Sequence, residues 1–218
     1  MFGRELLTTL ERERIIAVVT IDRADDALPL ADALLAGGVH AIELTLRTDA
    51  ALEALSSIVS HRTEIVAGVG TVLRPDQCET VYEMGATFGV TPGLNPEVVK
   101  SARSQGLQFA PGIATPSELE RAVSLGCNVL KFFPSEPQGG LKYLTSMNTP
   151  YAHLGLKFIP LGGVNESNLA EYLSADMVLA VGGSWIANRN LIQQGAWDEI
   201  RNNSLRARQI VKRMGGRR

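Results

Sequence analysis

At 218 residues the chain is long enough for one domain or two at about 150 residues each, and a single α/β barrel can fill it. Hydrophobic residues at 45%, charged residues at 20% and a mean hydropathy of +0.06 permit a sizeable core and exclude disorder for the bulk of the chain. With 21 Lys and Arg against 23 Asp and Glu the formal charge is −2, which excludes a global electrostatic pull toward nucleic acid or an anionic membrane.

Near the N-terminus, charges from Glu11 to Arg14 interrupt the sequence before a signal-length apolar core develops, and no later segment reaches the ~18 apolar residues of a membrane span. A soluble cytoplasmic protein is expected. Cys78 and Cys127 stand far apart with no metal-ligand spacing, so neither a disulfide framework nor a zinc site is indicated.

In chain order, a helix over 4–12 precedes a first strand over 15–21. Then follow a helix over 25–36, a strand over 41–47, a helix over 49–60, a strand over 64–70 and a helix over 75–84. The next strands are read at 87–91, 108–112, 129–132, 157–160 and 177–181. Helices at 96–105, 116–125, 140–147 and 167–173 separate them, and a last helix runs from 196 onward. Gly37-Gly38, Gly85, Gly106 and Gly126 each end a helix just before a strand. Strand-then-helix repeated eight times, at about 27 residues per unit, predicts a single (β/α)8 barrel with an extra N-terminal helix and no internal domain boundary. The alternative, an open doubly wound sheet, usually places a glycine-rich turn after its first strand, where this chain has Asp22-Arg23-Ala24-Asp25.

In such a barrel the chemistry lies where strands end. Lys131 stands in the apolar run Val129-Leu130-Lys131-Phe132-Phe133-Pro134. A lysine is almost never buried without a partner or a purpose, and desolvation of its ammonium frees an amine to attack a carbonyl. Its bland alternative is a strand-end lysine paired with a carboxylate. Lys157, also in an apolar strand, has three strand residues after it and is assigned to the opposite, structural end.

Glu43, Thr45 and Arg47 share one face of the second strand by period-two alternation. Glu43 can exchange protons beside Lys131, or simply balance a buried charge, and the two roles are compatible. Arg47 offers a planar fork to a substrate carboxylate, and Thr71 closes Gly68-Val69-Gly70-Thr71, whose glycines suggest close approach of a ligand. Gly162-Gly163 and Gly182-Gly183-Ser184 fall after the seventh and eighth strands, where barrel loops often bind phosphate.

Taken together, the segments Glu43-Leu44-Thr45-Leu46-Arg47, Gly68 to Leu73, Val90-Thr91-Pro92-Gly93, Pro111 to Thr115, Lys131-Phe132-Phe133-Pro134, Gly162-Gly163-Val164 and Gly182-Gly183-Ser184-Trp185 resemble the 2-keto-3-deoxy-6-phosphogluconate (KDPG) and 4-hydroxy-2-oxoglutarate (KHG) aldolase family. The resemblance implies a metal-free, cofactor-free class I aldolase of the Entner-Doudoroff route. It cleaves the phosphorylated keto-deoxy acid to pyruvate and glyceraldehyde 3-phosphate, and in many members also hydroxyoxoglutarate to pyruvate and glyoxylate. It implies a homotrimer. It makes Lys131 the Schiff-base lysine, Glu43 the proton shuttle, Arg47 and Thr71 the carboxylate pair, Pro92 and Phe133 the pocket walls, and Gly162, Gly163, Gly183 and Ser184 the phosphate group.

Two positions depart from the family. Leu161 stands where many members have a threonine, and Thr20 where the phosphogalactonate enzymes carry an arginine, so 2-keto-3-deoxy-6-phosphogalactonate remains an alternative substrate. A phosphosugar isomerase on the same barrel is the rival activity, and a phosphate-binding protein without catalysis would have no use for Glu43 beside Lys131. His40, His61 and His153 fall outside the strand ends and argue against a metal-dependent aldolase. The basic tail, with Arg206, Arg208, Lys212, Arg213, Arg217 and Arg218, is expected to be a solvated helix end and not a nucleic-acid surface.

Overall fold

Short β-branched and small-residue runs alternate with helices along the whole of residues 1–215, which the computed structural model describes; Arg217 and Arg218 of the basic tail lie outside them. The strands are β1 (Ile15–Val19), β2 (Ala41–Thr45), β3 (Val66–Gly70), β4 (Phe88–Val90), β5 (Gln108–Ala110), β6 (Gly112–Ile113), β7 (Val129–Phe132), β8 (Lys157–Pro160) and β9 (Val181–Gly183). The helices are α1 (Arg4–Glu13), α2 (Ala27–Ala36), α3 (Ala51–His61), α4 (Pro75–Glu83), α5 (Pro96–Gln105), α6 (Pro116–Ser124), α7 (Gly140–Asn148), α8 (Leu169–Leu173), α9 (Arg189–Gln193) and α10 (Trp197–Gly215). None is long and apolar enough to cross a membrane.

Local chemistry sets the helix starts. Prolines occupy the first helical position of α4, α5 and α6, where a missing N–H costs nothing. The Asn95 side chain caps α5 by accepting from Glu97 N, and Thr115 and Glu118 form a reciprocal capping box at α6. At the helix ends Gly38, Gly85, Gly106 and Gly126 take left-handed φ values, as the turn pattern predicts. Gly37 does not, and its small size serves packing: a Cβ there would fall 2.2 Å from the Ser204 Cβ of α10.

All strands pair in parallel, in a six-stranded sheet of order β5-β4-β3-β2-β1-β9 and a three-stranded sheet of order β6-β7-β8. The sequence reading expects one eight-stranded barrel, and two local features divide its ladder. Pro111, which has no N–H, splits the fifth predicted strand into β5 and β6. The eighth strand forms later than expected: Arg14 donates to Val178 O (2.9 Å) and Leu173 O, and the paired strand begins only at Val181, with a single bridge from Phe158 to Val178 ahead of it.

Two apolar layers flank the strands. One packs the helices on the outer strand residues, among them Ile15, Ile42, Val69, Leu130 and Phe158. The other gathers Ile16, Ala41, Phe88, Val90, Ala110, Val129 and Ile159 from both sheets around Phe2, Leu6 and Leu10 of the N-terminal segment. That segment is pinned by Asn128, whose side chain accepts from Phe2 N and donates to Phe2 O, both at 3.0 Å. The inner layer is thereby closed at one end, and the strand C-termini are left to form the site.

Candidate active site

Lys131 sits in the middle of β7 and is 5% exposed, while Glu43, in the middle of β2, is 1% exposed. Their side chains cross the interior and meet, with Lys131 Nζ donating to Glu43 Oε1 at 3.1 Å. A buried ion pair of this kind contributes little net stability, because desolvation offsets the attraction. The Phe133 ring lies 5.5 Å from Lys131 Nζ and screens the amine from water on one side.

Glycines make this crossing feasible. A Cβ on Gly70 would fall 2.0 Å from Glu43 Oε1, and one on Gly68 would fall 2.2 Å from the Phe88 ring. The glycines of Gly68-Val69-Gly70-Thr71, read from sequence as ligand approaches, therefore clear space for two side chains. Thr71 follows at φ +63°, a left-handed conformation that a β-branched residue adopts only under strain, at the rim of the cavity.

Glu43 and Lys131 floor a cavity of about 320 Å³ that Arg47, Thr71, Pro92, Phe133, Gly162 and Ser184 also line. Arg47 is set by hydroxyls: its Nη2 donates to Thr20 Oγ1 at 2.7 Å and its Nε to Thr45 Oγ1 at 3.2 Å. Those two hydroxyls lie 2.9 Å apart, and Thr45 passes its own proton to Val19 O at 2.9 Å. The partners are neutral, so the guanidinium charge remains available to an anion.

Gly163 and Gly183 do not line this cavity. Gly163 is held at φ +90°, where glycine is favoured, and a Cβ there would also strike Glu136, while a Cβ on Gly183 would strike the Trp185 ring. The loop after β7 is fastened to the loop after β8 through Ser135 N to Leu161 O (2.7 Å) and Glu136 N to Gly162 O (2.9 Å), and Tyr172 joins Ser135 and Glu136 through its hydroxyl. Burial and the neighbouring Glu136 push the Tyr172 phenol well above its usual range, so it stays protonated as a donor.

Val18, Thr45, Leu161 and Gly182 complete the wall; the sequence places Thr45 on the Glu43 face and Gly182 in the loop after the eighth strand without giving either a role of its own, and Val18 and Leu161 were not expected as lining. Period two along β1 points to Val18, and a Cβ on Gly182 would fall 2.4 Å from Leu161 Cγ. Lys157 begins β8 at the opposite end and donates to Asp176 O at 2.8 Å, in keeping with a structural role. His40 pairs with Glu13, while His61 and His153 lie on a helix end and a 3-10 turn, away from the cavity. Among the described residues no three His, Cys, Asp or Glu side chains come together as a metal site would require.

Comparison with known proteins places the chain in a family. The "KDPG and KHG aldolase" family model matches residues 6–203. The 2-dehydro-3-deoxy-phosphogluconate aldolase of Treponema pallidum is 41% identical over 206 residues, covering 94% of this chain and 97% of that one. The KHG/KDPG aldolase of Escherichia coli is 38% identical over 186 residues, covering 85% and 86%. The crystal structure of the KDPG aldolase of Legionella pneumophila, with pyruvate captured as a covalent carbinolamine, superposes with a TM-score of 0.86 at 36% identity, covering 91% of this chain and 96% of that one. With the family match spanning residues 6–203, this protein belongs to the KDPG and KHG aldolase family.

Proposed function

We propose that the protein is a class I aldolase that cleaves 2-keto-3-deoxy-6-phosphogluconate to pyruvate and glyceraldehyde 3-phosphate. The observation that carries the reading is the buried Lys131–Glu43 contact at 3.1 Å. Lys131 Nζ adds to the C2 carbonyl, and Glu43 returns a proton to the oxygen so that water leaves and an iminium forms. The C4 hydroxyl then gives its proton to the Glu43 carboxylate, the C3–C4 bond breaks, and its electrons enter the iminium as an enamine while the aldehyde departs. Protonation of C3 and hydrolysis release pyruvate and regenerate the amine. Arg47 and Thr71 hold the carboxylate, Pro92 and Phe133 wall the pocket, and Gly162, Gly163, Gly183 and Ser184 belong to the loops that face the far end of the substrate.

The same steps serve 4-hydroxy-2-oxoglutarate, which needs no phosphate contact. We read the chain as one catalytic domain whose two sheets belong to a single barrel, a reading supported by the run of β5 into β6 through Pro111 and by the Phe158–Val178 bridge ahead of β9. We carry a homotrimer and a cytoplasmic setting as part of this reading, the latter supported by two buried free cysteines. Pyruvate release, coupled to its reduction by lactate dehydrogenase, tests the substrate assignment. Turnover of the phosphorylated gluconate derivative ahead of the galactonate epimer and of hydroxyoxoglutarate is expected. Preference for the galactonate epimer, or no pyruvate from any of them, would overturn it.

A further inference from the structure

The parallel ladder of β7 and β8 ends at Phe132 and Pro160, but two further backbone bonds carry it on, from Ser135 N to Leu161 O at 2.7 Å and from Glu136 N to Gly162 O at 2.9 Å. Phe133 lies between the end of the ladder and the first of these bonds. Its ring stands 5.5 Å from Lys131 Nζ and lines the cavity together with Leu161 and Gly162. The ring rests on Gly162, where a Cβ would fall 3.1 Å from its Cε2.

Three side chains that do not line the cavity fasten the same segment. Ser135 is fully buried, and its Oγ lies 2.6 Å from the Oη of Tyr172, a 1% exposed residue of α8 whose hydroxyl also meets Glu136 Oε1. Burial and the adjoining Glu136 keep the phenol protonated, and a carboxylate only accepts, so the single Tyr172 proton goes to Glu136 and the Ser135 hydroxyl donates to Tyr172. The chain therefore has one direction. An apolar contact would fill this space, whereas a connected run of hydrogen bonds also fixes distance and angle, which is what support behind a reacting group requires.

We propose that Tyr172 is a positioning residue for the reaction at Lys131: through Ser135 and Glu136 it holds the segment after β7, so that the Phe133 ring stays against the amine while a keto acid condenses there. The inference rests on the reading of Lys131 as the nucleophile. Tyr172 touches neither the amine nor the cavity, and its effect passes through Phe133, Leu161 and Gly162. Arg47 and Thr71 follow β2 and β3, outside the fastened segment, so their hold on a carboxylate is independent of it.

The test is the rate at which the full-length protein forms a borohydride-trapped pyruvate adduct on Lys131, read by mass spectrometry and set beside calorimetric melting. Tyr172→Phe keeps the ring and removes the hydroxyl; at saturating pyruvate the rate should fall about tenfold, the scale of one lost charge-assisted hydrogen bond. The pyruvate concentration at half-maximal rate should stay within about twofold, because Arg47 and Thr71 are untouched, whereas general loosening of the fold would move both values. Glu136→Gln retains an acceptor for the phenol and should stay within about threefold of the parent rate, while Glu136→Ala should match Tyr172→Phe. The double variant Tyr172→Phe/Glu136→Ala should lose no more than either single one, since the two residues act as a unit. Tyr143→Phe removes another tyrosine hydroxyl, bonded to Ala114 O at 2.9 Å from α7, and should lower Tm without slowing the adduct. The proposal is overturned if Tyr172→Phe forms the adduct at the parent rate, if the Tyr172 and Glu136 losses add, or if Tyr143→Phe slows it equally. A parent protein that forms no adduct on Lys131 would instead overturn the aldolase reading, and this proposal with it.

Discussion

Replacing Gly70 by alanine places a methyl carbon 2.0 Å from Glu43 Oε1, 2.8 Å from its Cδ and 2.9 Å from its Cγ. The backbone at this strand position accepts an alanine, so the conflict is with the carboxylate, which must swing away from β3 and lose its 3.1 Å contact with Lys131. Overpacking of this kind costs about 1–3 kcal/mol, equivalent to a Tm loss of roughly 2–12 °C in a chain of this size. The catalytic loss is larger. Misplacing a general acid–base group forfeits roughly 10²–10⁴ in rate, about 2.7–5.4 kcal/mol in the barrier. Gly68→Ala is the matched control: its methyl would meet the Phe88 ring at 2.2 Å, inside the inner core layer, and should lower Tm by a similar amount with a much smaller effect on kcat. Coupled kinetics and calorimetric melting of both variants separate the two effects. A folded Gly70→Ala enzyme with kcat near that of the parent would refute the assignment of Glu43 as the proton-transfer group.

Glu43→Gln keeps the shape but cannot carry a proton, and kcat should fall roughly 10²–10⁴-fold with the melting transition preserved; near-normal turnover would reduce Glu43 to a counter-charge. Thr20→Val removes the acceptor that sets Arg47 Nη2, and at about 1 kcal/mol for that hydrogen bond the Ki of pyruvate should rise several-fold with little change in kcat, an outcome read from inhibition by pyruvate. Activity should be indifferent to EDTA because the iminium itself accepts the electrons of the breaking bond; loss on chelation with recovery on adding a divalent ion would move the enzyme to the metal-dependent class.

Strand positions were legible because parallel strands buried on both faces are written as short apolar runs, and 129–132 and 157–160 match β7 and β8 residue for residue. Period two along β2 was enough to put Glu43 and Thr45 on the cavity side, with Arg47 following from the loop just after the strand. The late start of β9 was not legible, since it depends on Arg14 reaching carbonyls more than 150 residues away. Glycine motifs also carry packing that the sequence does not show. Gly68 and Gly70 make room for Phe88 and Glu43, which come from other strands, and Gly183 makes room for Trp185, two residues further on. Leu161 and Thr20 were visible as departures from the family pattern, but their places, packed on Gly182 and bonded to Arg47, needed the fold. The short helix α9, with Arg189 paired to Asp22, gave no apolar periodicity to find.

The account depends most on the identity of the nucleophile. Incubation with pyruvate and borohydride, followed by peptide mass spectrometry, should find the reduced pyruvyl adduct on Lys131 and lose it in Lys131→Met. An adduct on Lys157 would contradict the assignment of Lys131 as the nucleophile, and none on a folded protein that still releases pyruvate would contradict the Schiff-base mechanism.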